Sequence, residues 1–164
     1  MTKENYTLNK QYIWVVSLLT FIFPIIFTSI QFYYLKSQLS LFPLFGKWFI
    51  FFAVGIRLFV AGIKQSLQPG FTAKEIFHIE GEEVYPIVRE LGFANICFGL
   101  IGILSVYFPS WRIVSAFASG LYYGIAGVQH FLKPEKGINE KFALITDLLI
   151  FIVLFVYVIW SLKL

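Results

Sequence analysis

Residues 86–108 read PIVRELGFANICFGLIGILSVYF. The run is long enough to cross a bilayer, yet it carries Arg89, Glu90 and Asn95 and sets Gly92, Gly99 and Gly102 at helix-facing spacings. A buried helix of a soluble domain does not need so much uninterrupted Phe, Leu and Ile, and a lipid-facing helix does not keep a carboxylate in its first turns without a partner. The stretch therefore reads as an interior transmembrane helix whose polar groups face other helices.

Composition extends that reading to the whole chain. With 59% hydrophobic and 13% charged residues among 164, and a mean hydropathy of +0.78, the sequence falls with polytopic membrane proteins rather than soluble domains. Its 20 Phe and 9 Tyr suit a lipid-solvated bundle with rings at the interfaces. Cys97, the single cysteine, excludes a disulfide framework and is expected as a small buried side chain. The apolar run from Tyr12 is too long for a cleaved signal peptide and no small-x-small site follows it, so it is expected to remain as the first span. A net charge of +4 is modest, and no nucleic-acid-binding motif accompanies it; the basic residues are expected to set topology and touch lipid headgroups.

Five spans follow, at about 12–35, 46–67, 86–108, 111–132 and 142–160, giving an all-α polytopic helix bundle that forms one domain over residues 1–164. Residues 1–11 read as a polar tail. Pro24 predicts a mild kink in the first span, and Gln31 is expected near the far interface. Arg57 falls near the centre of the second span, where even an insertion scale assigns a central Arg a cost of about 2.5–3.5 kcal/mol, so it requires a partner or a polar cavity. Lys64, on the same side, can carry its ammonium to the surface on its stem.

Residues 68–85 form the only sizeable hydrophilic connection. Thr72 and Glu75 have the spacing of a capping box, which predicts a short interfacial helix from Thr72, followed by an acidic group of Glu80, Glu82 and Glu83. Gly120, Gly124 and Gly127 predict a close-packing face in the fourth span, which ends at Gln129 and His130. Pro134 and Gly137 mark a turn before the fifth span, whose polar residues are Thr146 and Asp147.

An odd number of spans places the N-terminus and the 68–85 and 133–141 connections on one side. That side collects Lys3, Lys10, Lys64, Lys74, Arg89, Lys133, Lys136 and Lys141 against Lys36, Lys47, Arg112 and Lys163, which predicts a cytoplasmic N-terminus and an external C-terminus. Glu90, His130 and Asp147 then lie in the cytoplasmic half of three helices, and Arg57 approaches from a fourth. We expect Arg57 to pair with Glu90 or Asp147 and His130 to neighbour the remaining carboxylate. Asn95 is expected as interhelical glue or as a ligand contact. The candidate ligand-binding set is thus Arg57, Glu90, Asn95, His130 and Asp147; a purely structural polar network accounts for the same residues. Arg89 is expected to meet headgroups, and His78 to be solvated or interfacial.

At Glu90-Leu91-Gly92-Phe93-Ala94-Asn95, followed by Gly99-x-x-Gly102, Gly124, a span-terminal His130 and Thr146-Asp147, the chain resembles an uncharacterised family of small bacterial integral membrane proteins. The resemblance covers roughly residues 85–158. It implies that Glu90, Asn95, His130 and Asp147 belong together, and it carries no activity. The approach Pro86-Ile87-Val88-Arg89-Glu90-Leu91 departs from that family's usual Pro-Phe-Gln-x-Glu-Val-like pattern.

A central Arg, two carboxylates and a titratable His at one depth point first to binding or transport of a small polar or amphipathic solute or an ion, with proton linkage as an option. A membrane-embedded enzyme acting on a lipid or quinone-like substrate, and a structural or accessory subunit, are the alternatives. No nucleophile motif, metal-ligand spacing or haem pair appears, so no cofactor is assigned. No internal repeat is visible; a homo-oligomer would supply the symmetry that carriers use. The expected location is the bacterial cytoplasmic membrane.

Overall fold

The computed structural model describes residues 9–133 and 137–163. Among these residues the chain is helical throughout, with no strand. The long helices are α1 (Lys10–Tyr34), α2 (Leu41–Leu67), α4 (Glu82–Leu104, with a 3-10 first turn), α5 (Trp111–Leu132) and α6 (Ile138–Leu162); α3 is a short helix over residues 69–76. Four of them, α1, α2, α4 and α6, are long and apolar enough to cross a membrane. The chain is therefore read as a multi-pass membrane protein. Helix α5 has comparable length but carries Ser115, Ser119, Gly120, Tyr122, Tyr123, Gly124 and Gly127, which lower its hydropathy.

Several helix ends lie outside the sequence-derived limits. Helix α2 begins at Leu41 rather than 46 because Pro43 sits in its first turn, where a missing N–H leaves no bond unmade. Helix α6 begins at Ile138 rather than 142, and Asn9 caps α1 by accepting from the Tyr12 N–H at 2.9 Å. Pro69 at the first turn starts α3, so Thr72 lies inside that helix and is not its cap. The predicted turn residue Pro134 lies outside the described residues. Cys97, expected to be buried, is exposed on the outer surface of α4.

Helix α2 is the axis of the bundle. One side packs on α4 through glycines: a Cβ on Gly99 would meet the Phe59 backbone nitrogen at 2.5 Å, and one on Gly102 the Gly55 Cα at 2.7 Å. These positions accept no side chain without the helices separating. The other side supplies Phe49, Ile50, Ala53, Val54 and Leu58 to a core completed by Ala116 and Tyr123 of α5 and Ile150, Leu154 and Tyr157 of α6. Helices α5 and α6 meet along the second glycine face, where Gly124 and Gly127 lie against Phe151 and Leu148. Helix α1 lies along the bundle, with Phe27 against Trp48 and Phe52 of α2.

Between α4 and α5 the chain turns tightly. Ser105 Oγ donates back to the Gly102 carbonyl at 2.7 Å, and Arg112 Nε donates to the Ser105 carbonyl at 3.1 Å. Widened π-type turns interrupt α1 at Leu18–Ile22, just before Pro24, and α2 at Ile50–Ile56, just before Arg57. Such turns release backbone carbonyls from regular bonding and recur at functional positions; Tyr123 donates its hydroxyl to one of them, Ala53, at 3.1 Å.

The close α2–α4 approach predicts that Gly99→Val costs about 1–3 kcal/mol, as for other overpacked contacts. Ala94→Val, at an exposed position of the same helix, should be near neutral. Unfolding of the detergent-solubilised protein in a denaturant series measures both.

Candidate functional site

The site is built from three levels at the α1 N-terminal end of the bundle. The deepest is Arg57, ten residues from the end of α2 and thus roughly 15 Å below it. Its Nη2 bonds Asp147 Oδ1 at 2.7 Å and Thr146 Oγ1 at 3.1 Å, and its Nη1 bonds Thr20 Oγ1 at 3.4 Å. The guanidinium carbon also lies 5.2 Å from the Tyr123 ring centroid. The Arg57 and Asp147 side chains are only 9% and 10% exposed. Of the two partners open from the sequence, the structure selects Asp147.

Glu90 is elsewhere. The buried stripe of α4 is Val88, Gly92, Asn95, Gly99 and Gly102, and Glu90 is two residues, about 200°, from both Val88 and Gly92. It is exposed on the opposite face, so His130 has no neighbour there. Instead His130 Nδ1 lies 3.1 Å from Glu140 Oε1. Asn95 is buried on the α2 side and donates through Nδ2 to Gln65 Oε1 at 2.7 Å.

Glu140 forms the uppermost level. It is 1% exposed, and besides His130 its other oxygen takes His78 Nε2 and Lys133 Nζ, each at 3.1 Å. His78, expected to be solvated, is thus drawn into a buried ion-pair group while holding a positive φ of 58°. Lys133 Nζ also reaches the Phe77 carbonyl at 3.3 Å, and Asn139 Nδ2 donates to Glu75 Oε2 at 3.3 Å. These bonds fasten α3 and the chain after it onto the α5–α6 end. Sequence reading passed over Glu140 as a loop residue, although it continues the buried stripe Ala143, Asp147, Ile150, Leu154 and Tyr157 at spacings of three and four.

The third level, a cavity of about 410 Å³, lies between these two. Arg57 and Asp147 line its depth, Lys64, Gln65, Gln129 and His130 its upper wall, and Tyr12, Val16, Leu58 and Ala126 much of its apolar surface. Phe71, Thr72, Ile76 and Phe77 close it from the α3 side. Tyr122 also lines it, stacked on Phe98 at 5.7 Å and placed beside Asn95. Of the five sequence-predicted residues, Arg57, His130 and Asp147 reach this cavity; Asn95 stands behind it and Glu90 outside it. A cavity of this size and lining, mostly apolar with a few converging polar groups, is the usual form of a small-molecule site.

A family model matches residues 13–164 of the chain. The chain belongs to DUF6790, a family of unknown function. No curated protein and no solved structure matches it. Membership therefore adds no activity, and the chemistry of this DUF6790 chain rests on its own residues. Among the described residues, no group of three or more His, Cys, Asp or Glu side chains is arranged to hold a metal ion.

Removing one partner of the deep pair strands the other charge, so Asp147→Leu alone should destabilise by about 3–5 kcal/mol. The double replacement Arg57→Met with Asp147→Leu should recover much of that loss. Unfolding midpoints of the two single variants and the double variant in one detergent supply the comparison. At the upper level, Glu140→Gln should loosen α3, read as faster amide exchange over residues 69–79 with little change in α2.

Proposed function

We propose that this DUF6790 protein binds, and in the membrane moves, a small amphipathic solute held in the cavity above Arg57. The observation that carries the reading is a single one: a space of about 410 Å³ whose floor is a charged pair and whose walls are largely apolar. A floor of that kind orients a polar group, and apolar walls accept the remainder. The membrane arrangement that goes with this reading has five crossings, with α5 as the fifth despite its glycines and α3 lying at the interface. The cytoplasmic membrane of a bacterium, with the N-terminus and the Glu140 level on the cytoplasmic side, follows from the placement of Lys and Arg. His130 at the upper wall, with Glu140 bonded behind it, is the route by which a proton would accompany the solute.

Catalysis has weaker support, because Arg57 is committed to Asp147 and the hydroxyls beside the pair, Thr20 and Thr146, accept from Arg57, with Thr146 also bonded to the Phe142 and Ala143 carbonyls. A purely structural role explains the ion pairs but not the space beside them.

The test fills the space. Protein purified in mild detergent should carry a small molecule at a fixed ratio, found by extraction and mass spectrometry. Ala61→Trp and Ala126→Trp, both at the cavity wall, should remove it while leaving the protein folded. Retention of the same molecules by both variants, or their absence from the unmodified protein, would overturn the reading.

A further inference from the structure

We infer that the solute is a single-chain amphiphile with an anionic head that reaches the cavity sideways from the bilayer rather than from water; this rests on the binding reading above. Three observations lead there.

The first is where the cavity is open. Among its lining residues, Val15 is 39% exposed, Val60 45% and Ile125 67%. Val60 and Ile125 each lie seven residues inside the end of their helix, about 10 Å along it. At that depth the surroundings are acyl chains. The α3 side is covered, because Thr72 and Ile76 are buried against the cavity and the following His78 is fastened to Glu140. Gln11 and Gln129, also exposed in the lining, lie nearer the helix ends, at headgroup level, so the lateral opening through Val60 and Ile125 takes an acyl chain while a polar head stays at the polar side.

The second observation is charge. Arg57 and Asp147 neutralise each other, and Glu140 is taken by His78, His130 and Lys133. Lys64 lines the same cavity, with its Nζ 3.5 Å from the Phe71 ring centroid, and among the described residues it makes no ion pair. Glu75, whose charge acts on Lys64, is not among the lining residues and keeps that charge when Asn139 donates to it, so it offsets Lys64 only from outside the cavity. The lining itself holds Arg57 and Lys64 against Asp147, one more formal cation than anion.

The third is donor capacity. A guanidinium has five N–H donors, and the Arg57 side chain, nine-tenths buried, uses three of them on Thr20, Thr146 and Asp147. The remaining capacity on a cavity-lining Arg favours an acceptor such as a carboxylate, positioned between Arg57 and Lys64 with its chain toward Val60 and Ile125.

The experiment uses the full chain in phosphatidylcholine nanodiscs, with stearate spin-labelled on its chain and the methyl ester of the same molecule as probes. Electron paramagnetic resonance should show a saturable immobilised component for the acid, with the ester binding about tenfold more weakly, the loss expected for one charged hydrogen bond. Lys64→Gln should weaken the acid to the level of the ester, Ile125→Trp should slow uptake of both probes, and Ala61→Trp should abolish the component. Equal binding of acid and ester overturns the anionic head while leaving the cavity reading intact. Competition by butyrate as effective as by stearate, with no effect of Ile125→Trp, overturns access from the bilayer. A component that survives Ala61→Trp is boundary lipid and overturns the inference. No immobilised component at all overturns it as well, and the extraction experiment on the same preparation then decides separately whether the cavity holds another solute.

Discussion

A guanidinium in the middle of a membrane helix is the constraint from which the rest of this bundle follows. Arg57 cannot face hydrocarbon without a cost of several kcal/mol, and in α2 it is too deep for its side chain to reach an interface easily. The fold meets that demand with Asp147 of α6, Thr20 of α1 and the face of Tyr123 of α5. Three helices are thereby drawn to one point on α2. The glycine seam with α4 occupies the opposite side, so α2 is held on both flanks and its register is fixed. The widened turns at Leu18–Ile22 and Ile50–Ile56 flank this point, bringing Thr20 and Arg57 to it from helices that regular α geometry would present differently.

Glu140 repeats the logic nearer the end of the bundle, with the sign reversed. A carboxylate at 1% exposure holds two imidazoles and an ammonium, and through His78 it ties the chain after α3 to the end of α5. His78 follows α3, while His130 and Lys133 end α5. The covered end of the cavity and the charged group are therefore one construction. A change of charge around Glu140 acts on the cover of the cavity and, through His130, also on Asp147 beside Arg57.

Much of this was legible in the sequence, and the parts that were not share a cause. Long apolar runs announced the helices, Gly99 and Gly102 announced a helix-facing side that the structure sets against α2, and the isolated Arg57 announced that a partner must exist. Asp147 was available as that partner because it lies near the same depth in its span. Glu90 joins the same group by depth and by the family resemblance, and neither determines direction; its angular position, about 200° from Gly92, turns it outward. Glu140 was hidden because Asn139, Glu140 and Lys141 look like a solvated loop. Extending the stripe of Asp147 by seven residues toward the N-terminus would have found it, since 140, 143 and 147 share a face. His78 gave no such signal: it reaches Glu140 from 62 residues away, through a backbone turn with positive φ.

The cavity bears on whether the polar residues exist only to hold helices together. A bundle that needed no more than an internal ion pair would be expected to close around it, because apolar side chains packed against Arg57 and Asp147 strengthen their attraction by excluding water. Here Val16, Leu58, Ala61 and Ala126 stop short of doing so, and Arg57 keeps donors that a dry wall would leave unpaired at about 1–3 kcal/mol each. Closing the space would therefore exchange one cost for another unless an acceptor came with it. The arrangement is consistent only when something able to accept a hydrogen bond, water or the head of a solute, shares the cavity with Arg57, and the apolar walls disfavour water over most of that volume. Structural pairing and ligand binding are on this view successive uses of one residue: Asp147 makes the charge tolerable, and what Asp147 leaves unsatisfied is available to a guest.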